Sequence, residues 1–256
     1  MTEQPIRTER RGGILIVTID RPQVRNAMNA AAARGLSDAL DTIDADPAIF
    51  IAILTGAGGW FSAGADLKVA AIEGSSGATT ERGAMGMCRR PPAKPIIAAV
   101  EGIALGGGFE MVLACDLVVA AEDARMGLPE IRYNLIANGG GLLRLPRRIP
   151  PNLAAEVALS GQPYPADFFH RHGLVNRLVP PGQALDQALA LATQLLANGP
   201  TALAATANIL RRATSGSEEE GWAAQRELAA AALGSADRRE GVRAFVEKRP
   251  PRWTGK

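Results

Sequence analysis

Two glutamates, Glu110 and Glu130, are the side chains of this sequence best suited to acid–base chemistry. Glu110 directly follows the stretch ALGGGF, whose glycines at 106–108 come after a short apolar run at 95–99. Apolar residues then resume at helical spacing, which predicts a strand, a glycine turn and a helix with Glu110 in its first turn. The N–H groups at such a helix start are free to face an anion. This stretch therefore offers backbone donors beside a carboxylate, the combination that stabilises an oxyanion and moves a proton.

The residues alone leave a simpler interpretation open. A tight turn between a strand and a helix also explains the glycines, and the helix dipole favours an acidic side chain in the first turn. Glu130 lies in the segment GLPEIRYN, where a surface carboxylate is the simpler explanation. These stretches acquire a chemical meaning only together with others along the chain.

A second glycine-containing loop, FSAGADLK at 61–68, follows an apolar run that predicts a strand. Its small side chains let a ligand approach the backbone closely, whereas Asp66 is better explained as the cap of the following helix. Upstream, Pro22 ends the β-branched run GILIVTID in a turn. In that turn Arg25 is either a forked donor for a phosphate or a solvated arginine, and Asn26 is expected to satisfy backbone groups.

The elements that must position these loops alternate between strands and helices over the first two-thirds of the chain. Apolar runs predict strands at 13–20, 50–55, 95–99 and 117–121, and a helix reaching about Ile43 has Leu36, Ala39, Leu40 and Ile43 on one face. Later helices are predicted to begin near Asn152, Ala166, Ala184, Thr201, Glu218 and Asp237. This order predicts an α/β fold with a helical carboxy-terminal region.

Composition and charge exclude several classes of protein. The 256 residues suffice for a substantial core, and 47% hydrophobic with 21% charged residues is ordinary for a globular protein. A net charge of +2 without a run of basic residues argues against a nucleic-acid partner. No apolar run is long enough to span a membrane. The polar start MTEQPIRTERRGG contains no export signal, so we expect a cytoplasmic protein with Cys88 and Cys115 as reduced thiols.

Several catalytic and metal-binding motifs are missing from the sequence. His170 and His172 are two residues apart and do not share a helix face, so they predict no metal site. The glycine stretches match neither a P-loop nor a dinucleotide fingerprint. The absence of a G-x-S-x-G elbow argues against a serine hydrolase.

Taken together, the motifs resemble those of the crotonases, the enoyl-CoA hydratase/isomerase superfamily. The matching segments follow the family's order over almost the whole chain: RPQVRNAMN, SAGADL, KPIIAAVEGIALGGGFE, CDLVVAAEDARMGLPEI, HGLVNRLV and FVEKRPPRWTG. The resemblance implies a crotonase-type spiral of ββα repeats. It places the acyl-CoA-binding core at 1–195 and a helical trimerisation region at 196–256. It also implies a homotrimer or a homohexamer.

The resemblance further implies a role for each part of the site. The N–H groups of Ala65 and Gly107 would form an oxyanion hole for a thioester carbonyl. Glu110 would activate a water molecule, and Glu130 would deliver a proton to the α-carbon. Coenzyme A is part of the substrate, so neither a separate cofactor nor a metal is expected. Contacts with the CoA thioester are implied for Val24, Arg25, Ala63, Asp66, Leu67, Lys68 and Lys248, of which Lys248 would reach the ligand of a neighbouring subunit.

An irregular segment at 69–92, rich in Gly, Ser and Thr, separates the AGAD loop from the central strand. We expect it to be a mobile helix-and-loop segment over the active site. Met85 and Met87 within it would either line the acyl pocket or fill the core, since methionine packs adaptably.

The reaction implied is hydration, with alternatives that the sequence leaves open. Both carboxylates are present, which favours an enoyl-CoA hydratase over a Δ3,Δ2-enoyl-CoA isomerase that would need only one. Hydratases commonly follow the second glutamate with a Gly-Thr-Ile-Pro-Gly type segment, whereas this chain has NLIAN at 134–138. A branched, aromatic, hydroxylated or steroid-derived acyl group is therefore open. Some crotonase-like proteins bind RNA, but the arginine pairs here are scattered along the chain.

Overall fold

The computed structural model describes residues 4–213 and 216–256, so the first three residues of the polar amino terminus lie outside the described part of the chain. The strands are β1 (Ile6–Arg11), β2 (Ile14–Ile19), β3 (Ile51–Gly56), β4 (Thr79–Thr80), β5 (Gly83–Ala84), β6 (Ile96–Val100), β7 (Ile103–Leu105), β8 (Leu117–Ala121), β9 (Arg125–Gly127), β10 (Tyr164–Pro165) and β11 (Arg177–Val179). The helices are α1 (Ala30–Ala45), α2 (Leu67–Glu73), α3 (Gly107–Ala114), α4 (Gly141–Arg148), α5 (Pro151–Ser160), α6 (Ala166–Arg171), α7 (Ala184–Leu195), α8 (Pro200–Ala213), α9 (Glu218–Gly234) and α10 (Ala236–Glu247). Short 3-10 turns occupy Pro22–Val24 and Pro129–Tyr133.

The main sheet has six strands in the order β1-β2-β3-β6-β8-β11. β1 and β2 form an antiparallel hairpin, and every later neighbour in this sheet pairs in parallel. The parallel strands are rich in Ile, Val and Ala and are buried on both faces, as expected for a sheet covered on both sides. The predicted α/β class with a helical carboxy-terminal region is therefore confirmed.

Alternate side chains of the strands point to opposite faces of the sheet and belong to two separate apolar cores. Val17 and Leu54 belong to the larger core, to which α1 and α3 contribute their buried faces. Ile16 and Ile53 point to the other side of the sheet. There they meet α7, whose Ala184, Ala188 and Ala192 repeat every four residues along one helix face. The main sheet is thus a rigid platform between two layers of helices.

A second, smaller sheet in the order β10-β9-β7 lies beside the glycine turn. The sequence predicted that the strand at 95–99 leads through the glycine turn directly into a helix. In the structure a second strand, β7, lies between β6 and the glycine turn that starts α3. β7 and β9 run in parallel, with Leu105 opposite Gly127. The residues that follow the two strands therefore leave the sheet at the same edge.

The predicted strands and later helix starts agree with the observed bounds to within one residue. In α1 the predicted face of Leu36, Ala39, Leu40 and Ile43 is buried. The Asn29 side chain caps this helix by accepting a hydrogen bond from the Ala32 N–H at 3.0 Å. β1 and α4 were not predicted, because β1 is polar apart from Ile6 and α4 contains Pro146.

The segment at 69–92 is more firmly packed than its composition indicates. Arg82, between β4 and β5, is 1% exposed and forms ion pairs with Asp41 at 2.6 Å and Asp44 at 2.5 Å on α1. Met87 and Cys88 are buried in the larger core. The β4–β5 hairpin is therefore attached to α1 by a buried arginine.

The carboxy-terminal helices are tied to the core by a few specific contacts. Arg211 of α8 donates two hydrogen bonds to the carboxylate of Asp116, at 2.7 and 2.6 Å. The Trp253 indole N–H donates to the carbonyl of Ala197 at 3.0 Å. α9 buries none of its side chains. The division at residue 195 and the role of these helices in trimerisation stay predictions. None of the helices in the described residues is both long and apolar enough to cross a bilayer.

Candidate active site

The parallel pair of β7 and β9 brings the glycine turn and Glu130 together. Gly106 follows β7 with a φ of +55°, a conformation that suits glycine. A methyl group placed on Gly106 would lie 3.0 Å from Oε1 of Glu130, so this carboxyl group is in contact with the turn. Glu110 sits one helical turn further along in α3. The two predicted carboxylates therefore lie near one another, and the charge of Glu110 acts on Glu130.

The two predicted oxyanion donors lie on adjacent segments. Gly64 has a φ of +88°, and a methyl group there would lie 2.9 Å from the Gly107 nitrogen and 2.6 Å from the Leu105 carbonyl oxygen. The AGAD loop thus rests directly against the start of α3. Among the described residues, the N–H groups of Ala65 and Gly107 donate no hydrogen bond to the protein. A helix start leaves such an N–H free for a ligand.

A buried serine that sequence reasoning missed holds the AGAD loop in place. The Ser62 hydroxyl donates to the Asn26 carbonyl at 2.8 Å and accepts from the Gly64 N–H at 3.1 Å. Asn26 is fully buried, and its side chain donates to the carbonyls of Ala57 and Trp60 at 2.9 and 2.6 Å. The structural role predicted for Asn26 is confirmed. A small polar residue between an apolar strand and a glycine loop was the only sequence signal for Ser62.

Glu110 is almost completely buried and is held by the backbone. Its Oε1 accepts a hydrogen bond from the Gly141 N–H at 2.8 Å. Burial raises the pKa of this carboxyl group, while backbone hydrogen bonds from Gly141 and Gly139 and the charge of Arg144 oppose that rise. The hydrogen bonds therefore favour the ionised form of a carboxylate that is shielded from solvent.

Glu130 lies in a different environment. Burial raises its pKa to about 7, its own backbone N–H opposes the rise, and the charge of Glu110 adds to it. Its Oε2 is buried and has no hydrogen-bond partner among the described residues. At neutral pH a large fraction of this group is protonated, so it can give a proton while Glu110 accepts one.

Met85 covers the other side of the glycine turn. A methyl group placed on Gly107 would lie 2.7 Å from the Met85 Sδ atom. Met85 is buried and has a φ of +56°, which is uncommon for a residue other than glycine. The anchored hairpin therefore directs this thioether against the predicted oxyanion donor. Met87, in contrast, is completely buried in the core.

The residues predicted to contact the CoA portion lie in or beside the AGAD loop, except for Lys248. Arg25 is exposed, its guanidinium lies 5.4 Å from the Trp60 ring centre, and its carbonyl accepts from the Ala63 N–H at 2.9 Å. Lys68 and Leu67 are exposed in the first turn of α2, and Val24 is half-buried in the preceding 3-10 turn.

Of the other residues predicted to contact CoA, Asp66 belongs to the AGAD loop and Lys248 is the one that lies away from it. Asp66 caps α2 by accepting from the Val69 N–H at 3.4 Å and pairs with Arg21 at 3.1 Å, so it serves the fold. Lys248 lies at the end of α10, where it is exposed and its N–H donates to the Phe245 carbonyl at 3.2 Å.

The remaining candidate groups offer no additional chemistry. The His170 ring forms a hydrogen bond with the Val175 carbonyl oxygen at 2.9 Å, a contact within the fold. No group of three possible metal ligands occurs in the part of the chain that the structure describes. Cys88 and Cys115 are buried free thiols, and burial raises the pKa of Cys115 to about 12 and that of Cys88 further. Both are therefore poor nucleophiles.

The chain is similar to known proteins over nearly its whole length. The family model described as enoyl-CoA hydratase/isomerase matches residues 9–256. Enoyl-CoA hydratase EchA19 of Mycobacterium tuberculosis is 42% identical over 250 residues, covering 95% of this chain and 94% of the relative. Mevalonyl-coenzyme A hydratase sidH of Aspergillus fumigatus is 42% identical over 245 residues, covering 94% and 91%. The crystal structure of an enoyl-CoA hydratase from Mycobacterium tuberculosis superimposes with a TM-score of 0.94 at 50% identity, covering 99% of this chain and 100% of the other.

Proposed function

Because this chain belongs to the enoyl-CoA hydratase/isomerase family, we propose that it is a hydro-lyase that adds water across the α,β double bond of an enoyl-CoA thioester. One observation carries the proposal. Glu110 accepts a backbone hydrogen bond from Gly141, whereas the neighbouring Glu130 has a pKa of about 7 and a buried oxygen without a partner among the described residues. A pair of carboxyl groups in different environments suits a reaction that removes one proton and supplies another.

The thioester carbonyl would accept hydrogen bonds from the N–H groups of Ala65 and Gly107. As the hydroxyl adds to the β-carbon, the π electrons of the double bond shift toward the carbonyl. The two hydrogen bonds stabilise the negative charge that develops on the carbonyl oxygen. In other enzymes, losing one oxyanion donor costs about 3–4 kcal/mol of transition-state stabilisation. The close packing of Gly64 against Gly107 supports this role, because it brings the two segments that carry the donors together.

The two glutamates would then divide the proton transfers. Glu110 takes a proton from the water molecule while the resulting hydroxyl adds to the β-carbon. Glu130, partly protonated at neutral pH, gives its proton to the α-carbon. The proton gained by Glu110 replaces the one lost by Glu130 before the next turnover, so the enzyme returns to its starting state without a cofactor.

The CoA portion would be bound along the AGAD loop. Arg25 and Lys68 are the exposed cations on either side of this loop, and they would pair with CoA phosphates. Val24, Ala63 and Leu67 would supply apolar and backbone contacts. Lys248 at the end of α10 would serve the ligand of a neighbouring subunit. Met85 would form one wall of the acyl pocket beside Gly107.

The chain would act as a homotrimer or a homohexamer assembled through its carboxy-terminal helices. α9 buries no side chain, and several large apolar residues of α9 and α10 are exposed in the single chain, among them Trp222, Phe245 and Val246. Apolar surface of this kind usually marks an interface. Sedimentation analysis that finds only monomers would contradict this assembly.

The direct test is a panel of enoyl-CoA thioesters that differ in acyl length, branching and polarity. Hydration removes the conjugated absorbance of the substrate, so each rate is measured spectroscopically, and mass spectrometry then shows whether the product has gained one water. Among relatives, the A. fumigatus protein is named for a mevalonyl-CoA substrate, so the panel includes branched and hydroxylated acyl groups. Migration of the double bond without gain of water would identify an isomerase instead.

A further inference from the structure

The carboxylate of Glu110 is enclosed by a glycine turn at 139–141. The Gly141 N–H donates to Oε1 at 2.8 Å. A methyl group on Gly139 would lie 2.5 Å from Oε2, and one on Gly141 would lie 3.1 Å from Oε1. The position of the carboxylate therefore depends on where this turn lies. The turn packs on the core, since a methyl group on Gly139 would lie 3.2 Å from the Ala84 Cβ and one on Gly141 would lie 3.2 Å from a Leu128 Cδ. Such apolar contacts are non-directional, whereas a polar attachment also fixes the orientation of the turn.

Arg144 supplies that attachment. Its side chain folds back from α4, and Nη1 donates to the Gly139 carbonyl at 3.4 Å. Nη2 donates to the carbonyl of Cys88, in the buried segment that follows β5. The fork of the guanidinium thus bridges the glycine turn and the anchored hairpin segment, which a lysine with a single charged nitrogen would not do.

Arg144 is also the cation that faces Glu110. The other titratable groups near this carboxylate are Glu130, from the 3-10 turn after β9, and the buried thiol of Cys88. Among the described residues, Arg144 is the one whose positive charge lowers the pKa of Glu110. Removal of this charge would leave Glu110 with a carboxylate and a thiol as its ionisable neighbours.

We propose that Arg144 is a positioning residue for the hydration reaction, because its guanidinium fixes the 139–141 turn against Cys88 and so holds Glu110 in place. The inference rests on the proposed function, in which Glu110 activates the water. Arg144 does not contact the reacting atoms itself. It acts through the turn that holds the carboxylate.

The kinetic test uses two substitutions of Arg144 and one matched control. Arg144→Met removes both the fork and the charge, so kcat should fall about tenfold or more with KM unchanged, and the acidic limb of the pH profile should move to higher pH. Arg144→Lys keeps the charge but loses the fork, so it should lose kcat severalfold while its acidic limb stays in place. Arg147→Met, an exposed arginine on the same helix, should resemble the wild type.

Chemical rescue separates positioning from folding. Arg144 lines a cavity of about 1150 Å³ between the core and α8, so a small cation can take the place of the missing group. Guanidinium at low concentration should restore part of the activity of Arg144→Ala, whereas neutral urea of the same shape should not. Equal effects of guanidinium and urea would overturn the electrostatic part of the proposal.

A measurement without substrate keeps this inference distinguishable from the proposed function. The infrared carboxyl signal of Glu110, obtained by subtracting the spectrum of Glu110→Gln, reports its ionisation directly. Arg144→Met should raise the pH at which this signal disappears, even if no enoyl-CoA of the panel is hydrated. An unchanged Glu110 signal together with unchanged kcat in Arg144→Met overturns the proposal. If Arg144→Met does not fold, an unchanged kcat in Arg144→Lys overturns it.

Discussion

At the scale of single residues, the proposed mechanism depends on two carboxyl groups whose environments differ. Glu110 receives backbone hydrogen bonds, while Glu130 has an oxygen without a partner and a pKa of about 7. The difference arises from position, since one residue belongs to a buried helix and the other to a 3-10 turn at a sheet edge. The same side chain can thus serve as base at one position and as acid at the other.

Replacing either glutamate by glutamine should remove one of the two proton transfers. We expect Glu110→Gln and Glu130→Gln each to lower kcat by about 10²-fold or more. The double variant should be little worse than either single variant, because the pair acts as a unit. Steady-state hydration kinetics measure both effects, and Glu122→Gln, an exposed glutamate, is the control. Near-normal hydration by either single variant would refute the two-carboxylate mechanism.

The raised pKa of Glu130 also predicts a dependence of stability on pH. Because the folded-state pKa of about 7 exceeds the ordinary value of 4.5, the folded protein holds the proton more tightly than the unfolded chain. This residue therefore makes the folded state progressively less stable as the pH rises from about 4.5 to about 7, and the loss persists above that range. The Tm of Glu130→Gln relative to wild type should increase between pH 5 and pH 8.

Thermal unfolding of the ligand-free protein at both pH values measures this difference. Glu122→Gln again serves as the control, and its Tm should follow the wild type at each pH. A Tm difference between Glu130→Gln and wild type that is the same at pH 5 and pH 8 would mean that the Glu130 carboxyl is solvated normally.

At the scale of elements, the parallel register of β7 and β9 determines the site. Leu105 lies opposite Gly127, so the glycine turn and the 3-10 turn with Glu130 leave the small sheet side by side. The segment that leads into the AGAD loop also runs parallel to β7, with Ser62 opposite Ala104, and the Ser62 hydroxyl holds the loop in place. The glycine turn and the turn that carries Glu130 thus both begin at the end of a strand of the small sheet.

A side chain at Gly107 should block the oxyanion hole without preventing folding. In Gly107→Val the new methyl groups would contact Met85, whose flexible thioether can shift, and would stand between the N–H and the substrate carbonyl. We expect hydration to be abolished while the circular dichroism spectrum and the oligomeric state remain those of the wild type. Substantial activity in a folded Gly107→Val would place the oxyanion donor elsewhere.

The sequence predicted those elements whose signals are local. The long apolar strands and the alanine- and leucine-rich helices carry their own periodicity, so the bounds of these strands and the starts of the later helices were correct to within one residue. β7 has three residues and exists because it pairs with β9, a contact that no local pattern encodes. β1 is mostly polar and is defined by its pairing with β2. α4 was not predicted because it contains Pro146, and proline usually interrupts a helix.

Only those parts of the candidate site that lie in recognisable motifs could be predicted from the sequence. The glycine turn, the AGAD loop and both glutamates were found by resemblance, and the structure brings them together. Ser62 and Arg144 were missed, because a lone serine and a lone arginine give no pattern. Their importance lies in which carbonyl groups they contact, and this depends on the tertiary fold.

At the scale of the whole molecule, the small net charge of +2 cannot by itself attract a polyanionic ligand. Individual cations must recognise the CoA phosphates. We expect Arg25→Ala and Lys68→Ala to raise KM for the CoA thioester while sparing kcat, the result of losing uniform binding. The rise should diminish at high ionic strength, since exposed ion pairs are screened.

Steady-state kinetics at two salt concentrations measure this effect. Arg34→Ala removes an exposed arginine of α1 outside the CoA site and should leave KM unchanged. If Arg25→Ala and Lys68→Ala also leave KM unchanged at low ionic strength, both side chains are solvated surface charges, and backbone contacts hold the CoA portion.

The separation of the small sheet from the main sheet has a consequence for how such an enzyme can diverge. The six-stranded sheet and its two cores hold most of the buried apolar residues, whereas the groups proposed to react lie on the turns and the helix start that follow β7 and β9. Substitutions on the 3-10 turn can therefore change or delete the acid without disturbing the residues on which folding depends. Mutation and selection can explore new reactions on the same thioester while the scaffold stays intact.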